Sequence, residues 1–144
     1  MIIKKNTVHI VLLLTALSAS AYLTYLGFAQ SSSICDINDT FSCSAVSSSE
    51  YGEFLGIPTA LFGLAFVFTN IALFILTNKS LKIDSLLRDI RLFLNTVAAM
   101  FALLLIYLQA FEIGAWCVFC IIFDTATLIY TGYLYSQKLR TKKS

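Results

Sequence analysis

Four apolar runs, residues 9–28, 59–76, 92–111 and 117–135, divide the chain, and none of its ten lysines and arginines falls inside them. Each run is 18 to 20 residues long, which at about 1.5 Å per residue crosses a hydrocarbon core of roughly 30 Å. Alternation of period two is absent from the runs, which argues against a transmembrane β-barrel. Composition agrees: 58% of the 144 residues are hydrophobic and 12% are charged, against about 25% charged in soluble domains. So few charges cannot keep a surface of this size in water. A net charge of +2 excludes a strongly basic nucleic-acid binder. One proline and six glycines exclude collagen-like and Pro/Gly-rich disordered chains. The predicted fold is an all-α membrane protein, a four-transmembrane-helix bundle. A long extracytoplasmic loop, residues 29–58, joins the first and second helices, and residues 1–144 form one domain.

The cations give the orientation. Lys4 and Lys5 precede the first run; Lys79, Lys82, Arg88 and Arg91 lie between the second and third; Lys138, Arg140, Lys142 and Lys143 follow the fourth. Four spans put all of them on one face, which the positive-inside rule makes cytoplasmic, together with both termini. The opposite face receives Asp36, Asp39, Glu50, Glu53 and Glu112 and no basic residue.

Lys4-Lys5, an apolar run and Ala19-Ser20-Ala21 also fit a cleavable signal peptide. The run continues through Tyr22, Leu23, Tyr25, Leu26 and Phe28, long enough to span, so a retained helix is predicted. Residues 78–91, with Leu81, Ile83, Leu86, Leu87 and Ile90, read as a short connector at the cytoplasmic interface. His9 reads as a span-end residue.

In this topology all four cysteines reach the outer, oxidising side, where thiol pairs persist as disulfides. Cys35 and Cys43 lie in the outer loop, while Cys117-Val118-Phe119-Cys120 opens the fourth helix. Four cysteines allow three pairings in principle. The C-x-x-C spacing puts both sulfurs on one face near a helix N-terminus, where the dipole favours thiolate, the reactive form. The same spacing serves a structural disulfide or half of a four-cysteine zinc site. Zinc loses ground because the chain has no second C-x-x-C and its one histidine falls on the other face. Cys35 and Cys43 are eight apart, with Asp36, Asn38, Asp39 and Thr40 between them. That polar segment suits presentation of a disulfide to a water-soluble partner, or a simple staple of the loop. Two pairs on one side favour a relay, since exchange needs a thiolate and a disulfide within reach.

Along the fourth helix, Cys117, Cys120, Asp124, Thr127 and Thr131 follow steps of three and four, a polar stripe on an apolar helix. An acid at membrane depth is costly and faces the bundle interior or a cavity. Two roles suit Asp124: hydrogen-bonding or passing a proton to a ligand, or a buried hydrogen bond to Asn95 or Thr69.

The run Cys35-Asp36 to Ser42-Cys43-Ser44-Ala45-Val46-Ser47-Ser48-Ser49 resembles the loop of the vitamin K epoxide reductase family, with two cysteines eight apart and a serine six residues after the second. Gly56-Ile57-Pro58 and Leu61-Phe62-Gly63 resemble its bacterial branch, and Cys117-Val118-Phe119-Cys120 resembles its catalytic C-x-x-C. The likeness spans about residues 9–136. It implies a four-helix bundle around a quinone pocket with the loop partly a lid. Cys120 would attack the quinone side with Cys117 as its exchange partner. Cys43 would pass electrons to Cys117, and Cys35 would meet the thiols of a thioredoxin-like partner. Ser49 would hydrogen-bond near the quinone or position the loop; Asp124, Thr59 and Phe62 are further candidates for the quinone pocket. Members that reduce vitamin K carry a tyrosine where this chain has Asp124 and an asparagine where it has Thr59, which points away from vitamin K epoxide as substrate. Many bacterial relatives carry a fused thioredoxin-like domain; with the chain ending at Ser144, a separate partner is expected.

The reading is a thiol–disulfide oxidoreductase of the bacterial inner membrane. It would pass electrons from a reduced periplasmic thioredoxin-like protein through Cys35–Cys43 and Cys117–Cys120 to ubiquinone or menaquinone, without a metal or nucleic acid. Its rivals are a tetraspan module with structural disulfides and a proton-coupled transporter using Asp124.

Overall fold

The computed structural model describes residues 2–29, 32–77 and 83–143. Its long helices are α1 (Ile2–Ala29), α3 (Thr59–Thr77), α4 (Asp84–Leu108) and α5 (Val118–Lys143). A short helix α2 (Cys43–Ser47) and two strands, β1 (Glu53–Phe54) and β2 (Ile57–Pro58), lie between α1 and α3. Four stretches are long and apolar enough to cross a membrane: Thr7–Ala29, Thr59–Thr77, Asp84–Ile113 and Val118–Arg140. The protein is an all-α four-helix membrane bundle.

Each long helix packs on two neighbours: α1 on α3 and α5, and α4 on α5 and α3, which closes a ring. The first span is the most buried of the four. Its sequence explains this, because His9, Leu13, Ala16, Ser20, Leu23 and Thr24 recur at helical spacing and are buried. Small residues such as Ala16, Ala19 and Ser20 let helix backbones approach closely. Val11, Leu14, Phe68, Phe93, Phe101 and Ile129 point outward, as lipid-facing side chains do. Threonine hydroxyls within the spans are satisfied locally: Thr15, Thr24, Thr69, Thr96 and Thr127 donate to the carbonyl four residues back.

Two differences from the sequence reading concern the end opposite the cysteines. The third helix begins at Asp84, so residues 84–91 of the expected connector are its first two turns; residues 78–82, with Lys79, Leu81 and Lys82, lie outside the described residues. The side chains of Lys4, Lys5, Lys142 and Lys143 lie outside them as well. Arg91 is not a surface cation but is buried, and His9 is more than a span end. The Arg91 guanidinium lies 3.2 Å from His9 Nδ1 and stacks over Phe74 and Tyr130. The His9 ring contacts Phe74, Tyr130 and Tyr133. Once α4 starts early, Arg91 falls on the face that carries Asn95, and both turn inward.

The loop between α1 and α3 is structured. β1 and β2 pair antiparallel across Leu55 and Gly56, both at positive φ (55° and 78°), the conformation of a tight hairpin turn. Pro58 then closes against Gly27 of α1, whose Cβ, were it present, would fall 2.6 Å from the proline Cβ.

Candidate redox site

The loop is stitched to the start of α5 by its backbone. Trp116 N donates to Thr40 O at 2.7 Å, and Ser42 N donates to Trp116 O at 3.1 Å, a parallel bridge centred on Phe41. The residue after each end of this stitch is a cysteine: Cys43 follows Ser42 and Cys117 follows Trp116. Ser42 also caps α2, its hydroxyl accepting from Ala45 N. On the other side, α4 runs into a π-helical turn, Gln109–Ile113, which Gly114 ends at φ 67°. A positive φ suits glycine and lets the chain reverse before α5. Within that turn, buried Gln109 accepts the Cys117 N–H through Oε1 at 2.9 Å.

Both cysteine pairs are local disulfides, Cys35–Cys43 with Cα atoms 5.7 Å apart and Cys117–Cys120 with 5.2 Å. Cys117 stands just before α5, and Cys120 N donates to its sulfur at 3.2 Å, the position of an N-cap acceptor. Cys35, Cys43 and Cys117 share one apolar cluster with Leu23, Leu26, Val46 and Ala115, and Cys120 and Phe119 pack against it. The sequence reading presents the loop pair to water. Instead Cys35 is 5% and Cys43 0% exposed, while half-buried Cys120 is the most accessible of the four. The docked loop turns its sulfurs inward and leaves Ile34, Ile37 and Phe41 outside.

Asp36 holds the loop pair's frame. Its carboxylate accepts from Ser33 N at 2.6 Å, from Ser42 Oγ at 2.9 Å and from Ser44 N at 3.0 Å. Burial works against its charge, but these donors prevail and hold the carboxyl well below the usual carboxylate range. Ser49 donates to Val46 O and accepts from Gly52 N, so its hydroxyl is engaged with the loop backbone. Thr59 donates to Tyr51 O at the start of α3. Phe62, half exposed, meets Phe54 edge-on. Tyr22 of α1 stacks on Phe119 with centroids 4.7 Å apart.

The stripe on α5 faces the bundle, with Asp124, Thr127 and Thr131 all buried. Neither oxygen of Asp124 has a hydrogen-bond partner among the described residues. The two partners expected for it are engaged elsewhere. Asn95 Nδ2 donates to Asn70 Oδ1 at 2.6 Å and to Arg91 O, and Thr69 donates to Ala65 O. An unpartnered acid one turn from Cys120 can offer a proton or a hydrogen bond to a small polar ligand. No group of three or more His, Cys, Asp or Glu side chains able to hold a metal occurs among the described residues.

Gln109 was not singled out from sequence, and Asp36 was read only as one polar residue of the outer loop. Gln109 had a signal, a lone amide near the outer end of an apolar run. Trp116 acts through its backbone, which no residue type announces. Residues 7–135 match the model of the vitamin K epoxide reductase family. No curated protein matches the chain.

Proposed function

The chain belongs to the vitamin K epoxide reductase family, a membrane thiol–disulfide oxidoreductase, and from that premise we propose that it makes disulfides by delivering electrons to a quinone. A reduced thioredoxin-like protein gives electrons to Cys35–Cys43, which reduces Cys117–Cys120, which reduces ubiquinone or menaquinone. Each thiol step is attack of a thiolate on a disulfide sulfur, with the leaving sulfur taking the electron pair. One observation carries the reading. Cys35, Cys43 and Cys117 share a single buried cluster against which Cys120 packs, with the residues before Cys43 and Cys117 hydrogen-bonded to each other. Two structural staples would have no need of that juxtaposition.

The residues around Cys120 suit a quinone. The unpartnered oxygens of Asp124 offer a polar contact for a ring carbonyl, and Phe119 and Tyr22 offer aromatic faces; Phe62, which meets Phe54 at the start of α3, is a further candidate for the pocket. The quinone supplies a two-electron, two-proton acceptor. Cys120 is the cysteine open to it, Cys117 the one that closes the disulfide behind it, and Ser49 braces the loop above. In this reading the protein lies in a bacterial inner membrane, with both termini cytoplasmic and the cysteines periplasmic.

The test is purified protein with ubiquinone-1 and reduced thioredoxin, following quinone absorbance and thiol loss with each cysteine replaced by alanine. Cys120→Ala should lose quinone reduction and collect a mixed disulfide between loop and helix. Full quinone-dependent reoxidation in that variant would overturn the proposal, as would cysteines in the native protein that never exchange.

A further inference from the structure

The proposed quinone reduction consumes two protons, and the buried polar groups of the bundle indicate which side supplies them. Asp124 lies one helical turn, roughly 6 Å, from Cys120, is 1% exposed and has no hydrogen-bond partner among the described residues. Ionisable groups so placed in membrane helices mark substrate or ion pathways, proton relays, voltage sensors or ligand counter-ions. Toward the cysteine end, Leu23, Leu26, Val46 and Ala115 form an apolar cluster, and the buried Thr24 and Gln109 bond to backbone groups, Ser20 O and Cys117 N. Toward the opposite end, buried polar groups continue turn after turn.

Thr127 comes first. With Asn70 and Tyr130 it supplies the polar part of a mostly apolar cavity of about 10 Å3, whose other walls include Leu13, Phe66 and Val67; the volume is at the lower edge of the ~10–15 Å3 that one water needs. The buried hydroxyl of Tyr130 has no partner among the described residues. Asn70 is bonded to Asn95, and Thr131 donates to Asn95 O at 3.1 Å. Asn95 reaches Arg91 O one turn back on α4, Arg91 contacts His9, and His9 Nε2 lies 3.0 Å from Gln137. Asp124 and Gln137 stand on the same helix, about 20 Å apart along its axis. Buried polar groups are therefore spaced from just beneath the helical cysteine pair to the end of the bundle where both termini lie, with Asp124 and Thr127 nearly one turn apart on α5 and the Arg91 guanidinium standing between Asn95 and His9.

We propose that this file, from His9 past Asn95, Tyr130, Asn70 and Thr127 to Asp124, feeds protons from the termini side of the membrane to the quinone reduced at Cys120. It rests on the function proposed above. In each turnover the Cys117 and Cys120 thiols become one S–S bond and two electrons go to the quinone. The two thiol protons leave on the cysteine side, and the two protons that complete the quinol enter from the termini side. The reaction thereby moves two positive charges' worth of proton across the bilayer per disulfide made.

Proteoliposomes test this with reduced thioredoxin outside, ubiquinone-1 in the bilayer and a pH-sensitive dye sealed inside. Thioredoxin does not cross the bilayer, so it reaches only molecules whose cysteines face out. Quinol formation and internal pH are read together. The expected result is internal alkalinisation of about two protons per quinol, abolished by a protonophore that leaves quinol formation intact. Asp124→Asn should slow quinol formation at least tenfold, with Asp124→Glu restoring part of it. Tyr130→Phe, which removes a hydroxyl that bonds nothing described, should lower the protons taken up inside per quinol without disturbing the fold. Quinol formed by the wild-type protein with no internal pH change overturns the proton path and leaves the proposed function standing. Absence of quinol in the wild type overturns both.

Discussion

Gln109 gives the sharpest test of how the redox site is held. Its Oε1 accepts the Cys117 N–H at 2.9 Å, and both residues are buried, Cys117 completely, out of reach of bulk solvent. Gln109→Leu keeps the side-chain volume and removes the acceptor, so the loss is dominated by one orphaned N–H. Such a group costs about 1–3 kcal/mol, which makes local opening of the 115–117 segment about 5- to 140-fold more frequent. Hydrogen exchange followed by mass spectrometry in nanodiscs reads this directly on peptides covering residues 114–119. Their protection should fall by that factor while peptides from α1 keep theirs, which separates a local opening from general unfolding. Gln109→Glu keeps an acceptor oxygen in place and should retain most of the protection. Wild-type exchange at Cys117 in the leucine variant would refute the argument, because the amide would then have some other partner.

Other variants probe other joints. Gly27→Ala drives a methyl into Pro58 and should destabilise by about 1–3 kcal/mol, whereas Gly132→Ala meets nothing within 4 Å and should stabilise by up to about 1 kcal/mol; thermal unfolding in detergent compares them. Asn95→Leu strands Asn70 in the bundle interior and should cost about 1–3 kcal/mol, while replacing both asparagines by leucine should recover much of the loss; a double-mutant cycle on the same melts measures the coupling. Asp36 is held below its ordinary pKa, so its stabilisation is complete above that value and is lost as pH falls through the lowered one. Exchange protection of residues 33–48 should thus stay level from about pH 8 to about pH 5 and decline below about pH 4, and Asp36→Ala should remove that dependence.

What the sequence made legible, and what it did not, divides along physical lines. The spans were legible because lipid demands long apolar runs, and 59–76 matches Thr59–Thr77 within a residue. The C-x-x-C was legible because helix geometry alone brings residues three apart together. The burial of Cys35 and Cys43 was not, because it depends on Ser42 meeting Trp116, a contact across 74 residues made by backbone atoms. Arg91 and His9 misled for a related reason. Charge counting treats a cation near a span end as a solvated anchor, yet the guanidinium here is absorbed by two aromatic faces and an imidazole. Asp124 was visible as an anomaly from its depth, but only the bundle reveals that Asn95 and Thr69 are occupied elsewhere.

The arrangement of the disulfides also bears on how the protein is made. Cys35 and Cys43 leave the ribosome within eight residues of each other, whereas Cys117 follows Cys43 by 74. At about 5–20 residues per second that interval lasts roughly 4–15 s. A loop that meets an oxidant during that time has no rival thiol from its own chain to choose. The order of synthesis therefore favours the first pair before the second exists. The Phe41–Trp116 bridge can form only when the last helix arrives, onto a loop whose covalent ring is already closed. A nascent chain halted before residue 117 should carry the Cys35–Cys43 bond and lack the stitch that docks it.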